Sequence, residues 1–258
     1  MSGRVAALFA YPVKGLTGQS LEAVLLTPGQ GMPGDRRYAL ARSEGTWCGV
    51  GPVSKDQFYT LATCERLAGL RIRWDAGTDT VRVFVREHAV LVCDLGDADG
   101  RAEFARFFAR VLDLPAGRVP LLATGRRFTD AAALDEPMAE TVSLINLATV
   151  REIEQRTGRP LDPRRFRANI YCEGLPAWSE AGRVGDEVIV GNARLRVDLD
   201  IPRCAATEVD PDTGVRDVPL PRLLKAEYGH VTVGVLASVV AGGRIAAGAP
   251  VAFLGPRL

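Results

Sequence analysis

Short apolar runs broken by glycine and proline fill the first part of the chain: 5–13, 21–26, 38–41, 70–74, 81–86 and 90–95. In the fifth run Val81, Val83 and Val85 alternate with Arg82, Phe84 and Arg86. A period of two marks a strand with one buried face, and Glu87-His88 sits where a tight turn would lead into the next run. The period then changes. Phe104, Phe107, Phe108, Val111 and Leu112 fall at i, i+3, i+4, i+7 and i+8, which predicts a helix over 101–113. Residues 115–140 show no period and carry Gly125-Arg126-Arg127, the expected boundary between two lobes. A second helix is predicted over 147–157, with Asn146 as N-cap, Gly158 just past its end and Pro160 as a stop. Strands follow at 169–172, 187–190, 195–201, 231–240 and 250–254, separated by Gly185-Asp186, Gly191-Asn192 and Gly242-Gly243. No repeat and no βαβ alternation is visible. Many short strands and few helices predict a mainly β, α+β fold built around a barrel or sandwich.

Composition narrows the chemistry. The 258 residues carry a formal net charge of +1, so the balance gives no sign of a nucleic-acid or acidic-membrane partner. The apolar run near the N-terminus is far short of the roughly 20 residues of a membrane span, and reads as an opening strand. Only Lys14, Lys55 and Lys225 are lysines among the 32 basic residues, so 29 are arginines. Arginine suits flat or phosphorylated anions, although genome composition produces the same excess. With two histidines, His88 and His230, a three-histidine metal site is impossible, and no G-x-S-x-G elbow accompanies them. The five cysteines (Cys48, Cys64, Cys93, Cys172 and Cys204) form no C-x-x-C pair. An odd count with no visible secretion signal leads to the expectation of reduced thiols and a cytoplasmic protein.

Three segments could carry chemistry. Leu195, Val197, Leu199 and Ile201 alternate with Arg196, Asp198 and Asp200, the pattern of a strand with one face in a core. Pro202 marks its end, and Arg203-Cys204 follows directly. A thiol at a strand end beside a cation can supply thiolate, a soft metal ligand, and a buried inert cysteine fits the same pattern. In Arg164-Arg165-Phe166-Arg167-Ala168-Asn169, three arginines in four positions fit either an anion site or a solvated turn. Tyr11-Pro12-Val13-Lys14-Gly15 and Gly34-Asp35-Arg36-Arg37-Tyr38 each place a cation beside a glycine.

Taken in order, Y-P-V-K-G, G-D-R-R-Y, R-F-R-A-N-I and R-C-A-A-T-E-V-D-P-D-T-G resemble the MOSC family, in the branch with an N-terminal β-barrel domain. The resemblance implies a MOSC N-terminal β-barrel-like domain over 1–115 and a MOSC domain over 116–258. It implies a molybdenum cofactor (Mo-molybdopterin) between them, with Cys204 as metal ligand and catalytic residue. Lys14, Gly15, Arg36, Arg167, Asn169 and Arg203 are the implied cofactor-binding residues. The implied activity is reduction of small N-hydroxylated compounds (amidoximes, hydroxylamines, N-hydroxylated bases). Its alternative is a cofactor or sulfur carrier without turnover of its own. No ferredoxin-like segment follows Phe253 and no membrane anchor is seen, so electrons are expected from a separate donor protein. Gly15 stands where many relatives carry Ser, and Leu236 where the mitochondrial branch carries Tyr.

Overall fold

A computed structural model describes residues 2–43, 47, 49, 54–134 and 137–255. In chain order the strands and helices are β1 (Gly3–Ala10), β2 (Gln19–Leu21), β3 (Ala23–Leu26), β4 (Ala39–Ala41), β5 (Arg71–Asp75), β6 (Thr80–Val85), β7 (His88–Asp94), α1 (Ala98–Val111), β8 (Leu121–Ala123), β9 (Thr141–Asn146), α2 (Leu147–Thr157), β10 (Ile170–Glu173), β11 (Glu187–Val190), β12 (Ala193–Pro202), α3 (Leu220–Tyr228), β13 (Thr232–Ala241), β14 (Gly243–Ala246) and β15 (Pro250–Phe253).

Seven strands close a barrel in the order β10-β9-β13-β12-β11-β15-β1, with β1 pairing back onto β10. The first strand of the chain therefore seals a barrel otherwise made from the second half. Its interior holds Val5, Leu8, Val142, Leu144, Val188, Leu195, Val197, Val235, Ala237 and Val251, all 1% exposed or less. Closure removes the free edges that would template aggregation. The remaining N-terminal elements pack a core of their own, with Tyr38, Leu40, Val81, Val83, Leu91, Phe104 and Phe108 under β5-β6-β7 and α1.

Local chemistry explains most element ends. The carboxylate of Asp97 accepts from the N–H groups of Asp99 and Gly100, so α1 starts at Ala98, three residues before the predicted start at 101. Asn146 caps α2 through Ala148 N–H, and Gly158 ends it at φ 63°. The turn between β6 and β7 falls at Arg86-Glu87, one residue earlier than expected, with Arg86 at φ 54°. Three features depart from the sequence pattern. β9-α2-β10 is a βαβ unit, because β9 and β10 pair in parallel (Leu144↔Ile170). β9 itself is buried on both faces, with Thr141 and Ser143 only 6% exposed, so it lacks the polar outer face that marks a strand. α3 opens through Pro219 and Pro221, where a first turn needs no N–H donor, and ends at Gly229.

Candidate functional site

A cavity of about 450 Å³ lies against the outer face of the barrel, where the N-terminal lobe covers it. Lys14, Gly15, Arg36, Arg167, Asn169, Arg203 and Cys204 all line it. Residues up to 190 positions apart in the chain are thus brought to one wall.

The hub of this wall is Asp35, a buried residue that sequence reasoning missed although it stands inside G-D-R-R-Y. Its Oδ1 accepts from Tyr11 N–H (2.8 Å) and Asn169 Nδ2 (3.0 Å), and its Oδ2 accepts from Arg36. One carboxylate therefore ties the Tyr11 loop, the Arg36 turn and Asn169 just before β10. Asn169 is spent within the protein: its Oδ1 accepts from Ser143 N–H and Oγ, and its Nδ2 also donates to Phe9 O (3.2 Å). Its amide positions Asp35 and Ser143.

The cations fall into two kinds. Lys14 is 5% exposed and donates from Nζ to Phe128 O (2.9 Å) and to Asp130. Burial lowers its pKa, against the pull of Asp130. Burial likewise works against the charge of Arg36, but Asp35 outweighs it and holds the guanidinium above its usual value. Both cations have a carboxylate. Arg167 and Arg203 have none within ion-pair distance among the described residues. Arg167 adopts φ 54° at the end of the 3₁₀ turn Pro163–Phe166 and lies over the Tyr11 ring (4.5 Å). Its Nη2 is buried without a hydrogen-bond partner. Arg203 donates to Val233 O from Nε (2.8 Å) and Nη2 (2.5 Å), and to Phe166 O from Nη1 (2.9 Å). Burial lowers both pKa values to about 10, with Arg36 adding to the effect at Arg167.

Gly234 makes room for Arg203. It sits at φ 71°, and a Cβ there would lie 2.5 Å from Ile145 and 3.2 Å from Arg203 Nη2. Gly15 is fixed in the same way, at φ 85° with Tyr59 O 3.2 Å from a would-be Cβ. The backbone of this loop thus calls for glycine.

Cys204 is partly exposed and precedes the 3₁₀ turn Ala205–Glu208; its carbonyl accepts from Thr207 N–H (3.0 Å) and Oγ1 (2.9 Å). It is free, as are Cys64, Cys93 and Cys172; Cys48 lies outside the described residues. Beside Cys204 the alternation along β12 breaks. The register with β13 slips between Val197 and Leu199, a bulge, so Leu199 pairs with Leu236 and Leu236 with Ser143 on β9. Leu199 and Ile201, expected in the core with Leu195 and Val197, instead line the cavity with Leu236. The cavity therefore has a cationic wall and an apolar wall, with the thiol of Cys204 also on its lining.

This donor set fits an anionic group that also bears a thiophilic metal. Among the described residues two guanidinium groups lack a counterion within ion-pair distance, one buried N–H lacks an acceptor, and a free thiol is at hand.

Residues 129–252 match the MOSC domain, and residues 2–114 match the MOSC N-terminal beta barrel domain. The chain belongs to the MOSC family. Among its MOSC relatives is the mitochondrial amidoxime reducing component 2 of Bos taurus, 35% identical over 31% of this chain and 24% of the relative. The mitochondrial amidoxime-reducing component 1 of Mus musculus is 30% identical over 43% of this chain and 36% of the relative. The matches thus span about a quarter to a third of those relatives' length. Among solved structures, the YUAD protein of Bacillus subtilis aligns over 97% of this chain and 94% of its own, at 12% identity and a TM-score of 0.44. No helix among the described residues is long and apolar enough to cross a membrane.

Proposed function

We propose that the protein binds a molybdenum cofactor in this cavity and reduces small N-hydroxylated compounds there. The observation that carries the reading is the pair of counterion-free guanidinium groups, Arg167 and Arg203, on the cavity that also holds the free thiol of Cys204. Family membership and the names of the relatives support it.

When bound, the cofactor would supply a molybdenum centre able to remove oxygen from an N–O bond and to be reset by two electrons and two protons. The chain supplies the rest. The thiolate of Cys204 would ligate the metal. Arg167 would give its unpartnered Nη2 to the cofactor's anionic group, a charge-assisted contact in a site of low dielectric. Arg203, fixed by three bonds to backbone carbonyls, would present its charge without moving. Lys14 and Arg36, already paired with Asp130 and Asp35, would add a weaker field and close the N-terminal side. Leu199, Ile201 and Leu236 would keep water from the apolar wall and receive the body of the substrate. The lobes are assigned as 1–115 and 116–258, with β1 reaching across. Electrons would come from a separate donor protein, and the free thiols suit a reducing, cytoplasmic setting.

The test is direct. Protein purified from a molybdenum-replete host should contain molybdenum and pterin, and with a chemical electron donor it should reduce benzamidoxime or 6-hydroxylaminopurine. Stoichiometric cofactor with no turnover of either would overturn the reductase reading and favour a carrier.

A further inference from the structure

A second cavity, of about 400 Å³, lies back to back with the first. Leu61, Arg165, Arg167 and Ala206 line both. Its remaining lining includes Arg71 and Arg73 on β5, Phe84 on β6, and Arg164. Five arginines meet only two carboxylates there, Glu87 and Asp212, in a chain whose charges almost cancel. Arg71 is paired with Glu87, and Arg164 with Asp162 and Asp212.

Two observations point to a missing anion. The first is Arg165, which is 4% exposed: its Nη atoms reach Glu208 O, Asp210 and Asp217, but its Nε is buried with no partner. A buried donor left unmade costs about 1–3 kcal/mol, so an acceptor at this wall would be favoured. The second is Arg73. It is exposed, has no ion-pair partner among the described residues, and stands directly opposite Arg82 in the β5–β6 ladder. Like charges at that register repel. The guanidinium of Arg73 lies over the Phe84 ring at 5.5 Å, which sets a cation beside an aromatic surface.

We propose that this second cavity binds a small organic anion bearing an aromatic ring, of the aryl phosphate class. Arg73 and Arg165 would take the oxyanion, and Phe84 the ring. The site shares a wall with the cavity assigned to the cofactor but uses neither Arg203 nor Cys204, and the proposal stands without the cofactor.

Calorimetric titration of the purified full chain with phenyl phosphate tests it. One saturable site per chain is expected, with inorganic phosphate binding at least about fivefold more weakly because it lacks the ring. Arg73→Gln, at an exposed position where folding is safe, should weaken phenyl phosphate roughly tenfold, the scale of one charge-assisted contact. Leu134→Glu adds a negative charge at the exposed lip of the first cavity and should change the affinity less than about twofold. No saturable binding, an unchanged affinity in Arg73→Gln, or a loss confined to Leu134→Glu would overturn the site. Equal affinity for inorganic phosphate would overturn the ring contact.

Discussion

Arg165 and Arg167 are two residues apart, and the fold treats their charges in opposite ways. The Nη atoms of Arg165 meet Asp210 and Asp217 at 3.0 and 2.8 Å, and its neighbour Arg164 grips Asp162 and Asp212. Arg167 has an aromatic ring, a second cation nearby and, among the described residues, no carboxylate within ion-pair distance. One corner is an ion network that pins the R-C-A-A-T-E-V-D-P-D-T-G loop to the 3₁₀ turn and leaves over only the Nε of Arg165. The other is a charge awaiting a partner. A sequence run of arginines can thus contain structural and ligand-directed members side by side, and only the counterions separate them.

The largest effect is expected from Gly234→Ala, which drives a methyl into Leu144 O and Ile145 at a positive φ. Strain and overpacking together should cost about 4 kcal/mol in chemical denaturation, and a cost near zero would show that the backbone under Arg203 is not tight. Next is Arg165→Met in cofactor-free protein. It leaves two aspartates without their cation and should cost about 3 kcal/mol, whereas an unchanged midpoint would mean the network is ornamental.

Arg167→Gln should behave in reverse. It removes a charge with no protein counterion, so the stability of cofactor-free protein should hold or rise. Cofactor retained after dialysis should fall roughly tenfold, about 1.4 kcal/mol. A loss of stability matching Arg165→Met would erase the distinction between the two residues.

The smallest effect sharpens the contrast from the acid side. Glu180 is fully buried, accepts only from neutral donors (Thr149 Oγ1 at 3.0 Å and Asn146 N–H at 3.4 Å), and lines neither cavity. Burial raises its pKa above the usual 4.5, so the folded state holds a proton that the unfolded state has released. Stability from this group is full below pH 4.5 and is lost as pH rises through the folded pKa. Glu180→Gln should therefore gain on the wild type as pH increases from about 4.5 to 8. A constant difference across that range would contradict the assignment.

Much of this was legible in the sequence where local physics decides. The α2 helix announced both its ends through Asn146 and Gly158, and β11 was bounded by its turns. The candidate residues of the four motifs do converge on one cavity, because glycine and proline mark the loops that carry them. What stayed hidden depends on pairing across the chain. The bulge beside Leu199 has no local signal, since L-D-L-D-I reads as unbroken alternation. Ser143 matters only because Asn169 faces it. Asp35 could have been found: an acid next to an arginine in a glycine-led turn is a natural clamp. Closure of the barrel by β1 follows from pairing between the chain's opposite ends, which no window of sequence contains.

Cys204 is the residue through which this cavity would hold a molybdenum cofactor. The most direct measurement is molybdenum and pterin per chain in wild type and Cys204→Ala, both purified from a molybdenum-replete host, with thermal melting to confirm the fold. Loss of molybdenum in the variant, at an unchanged melting temperature, is the predicted result. Full retention of molybdenum by Cys204→Ala, or a wild type that binds none, would contradict the account.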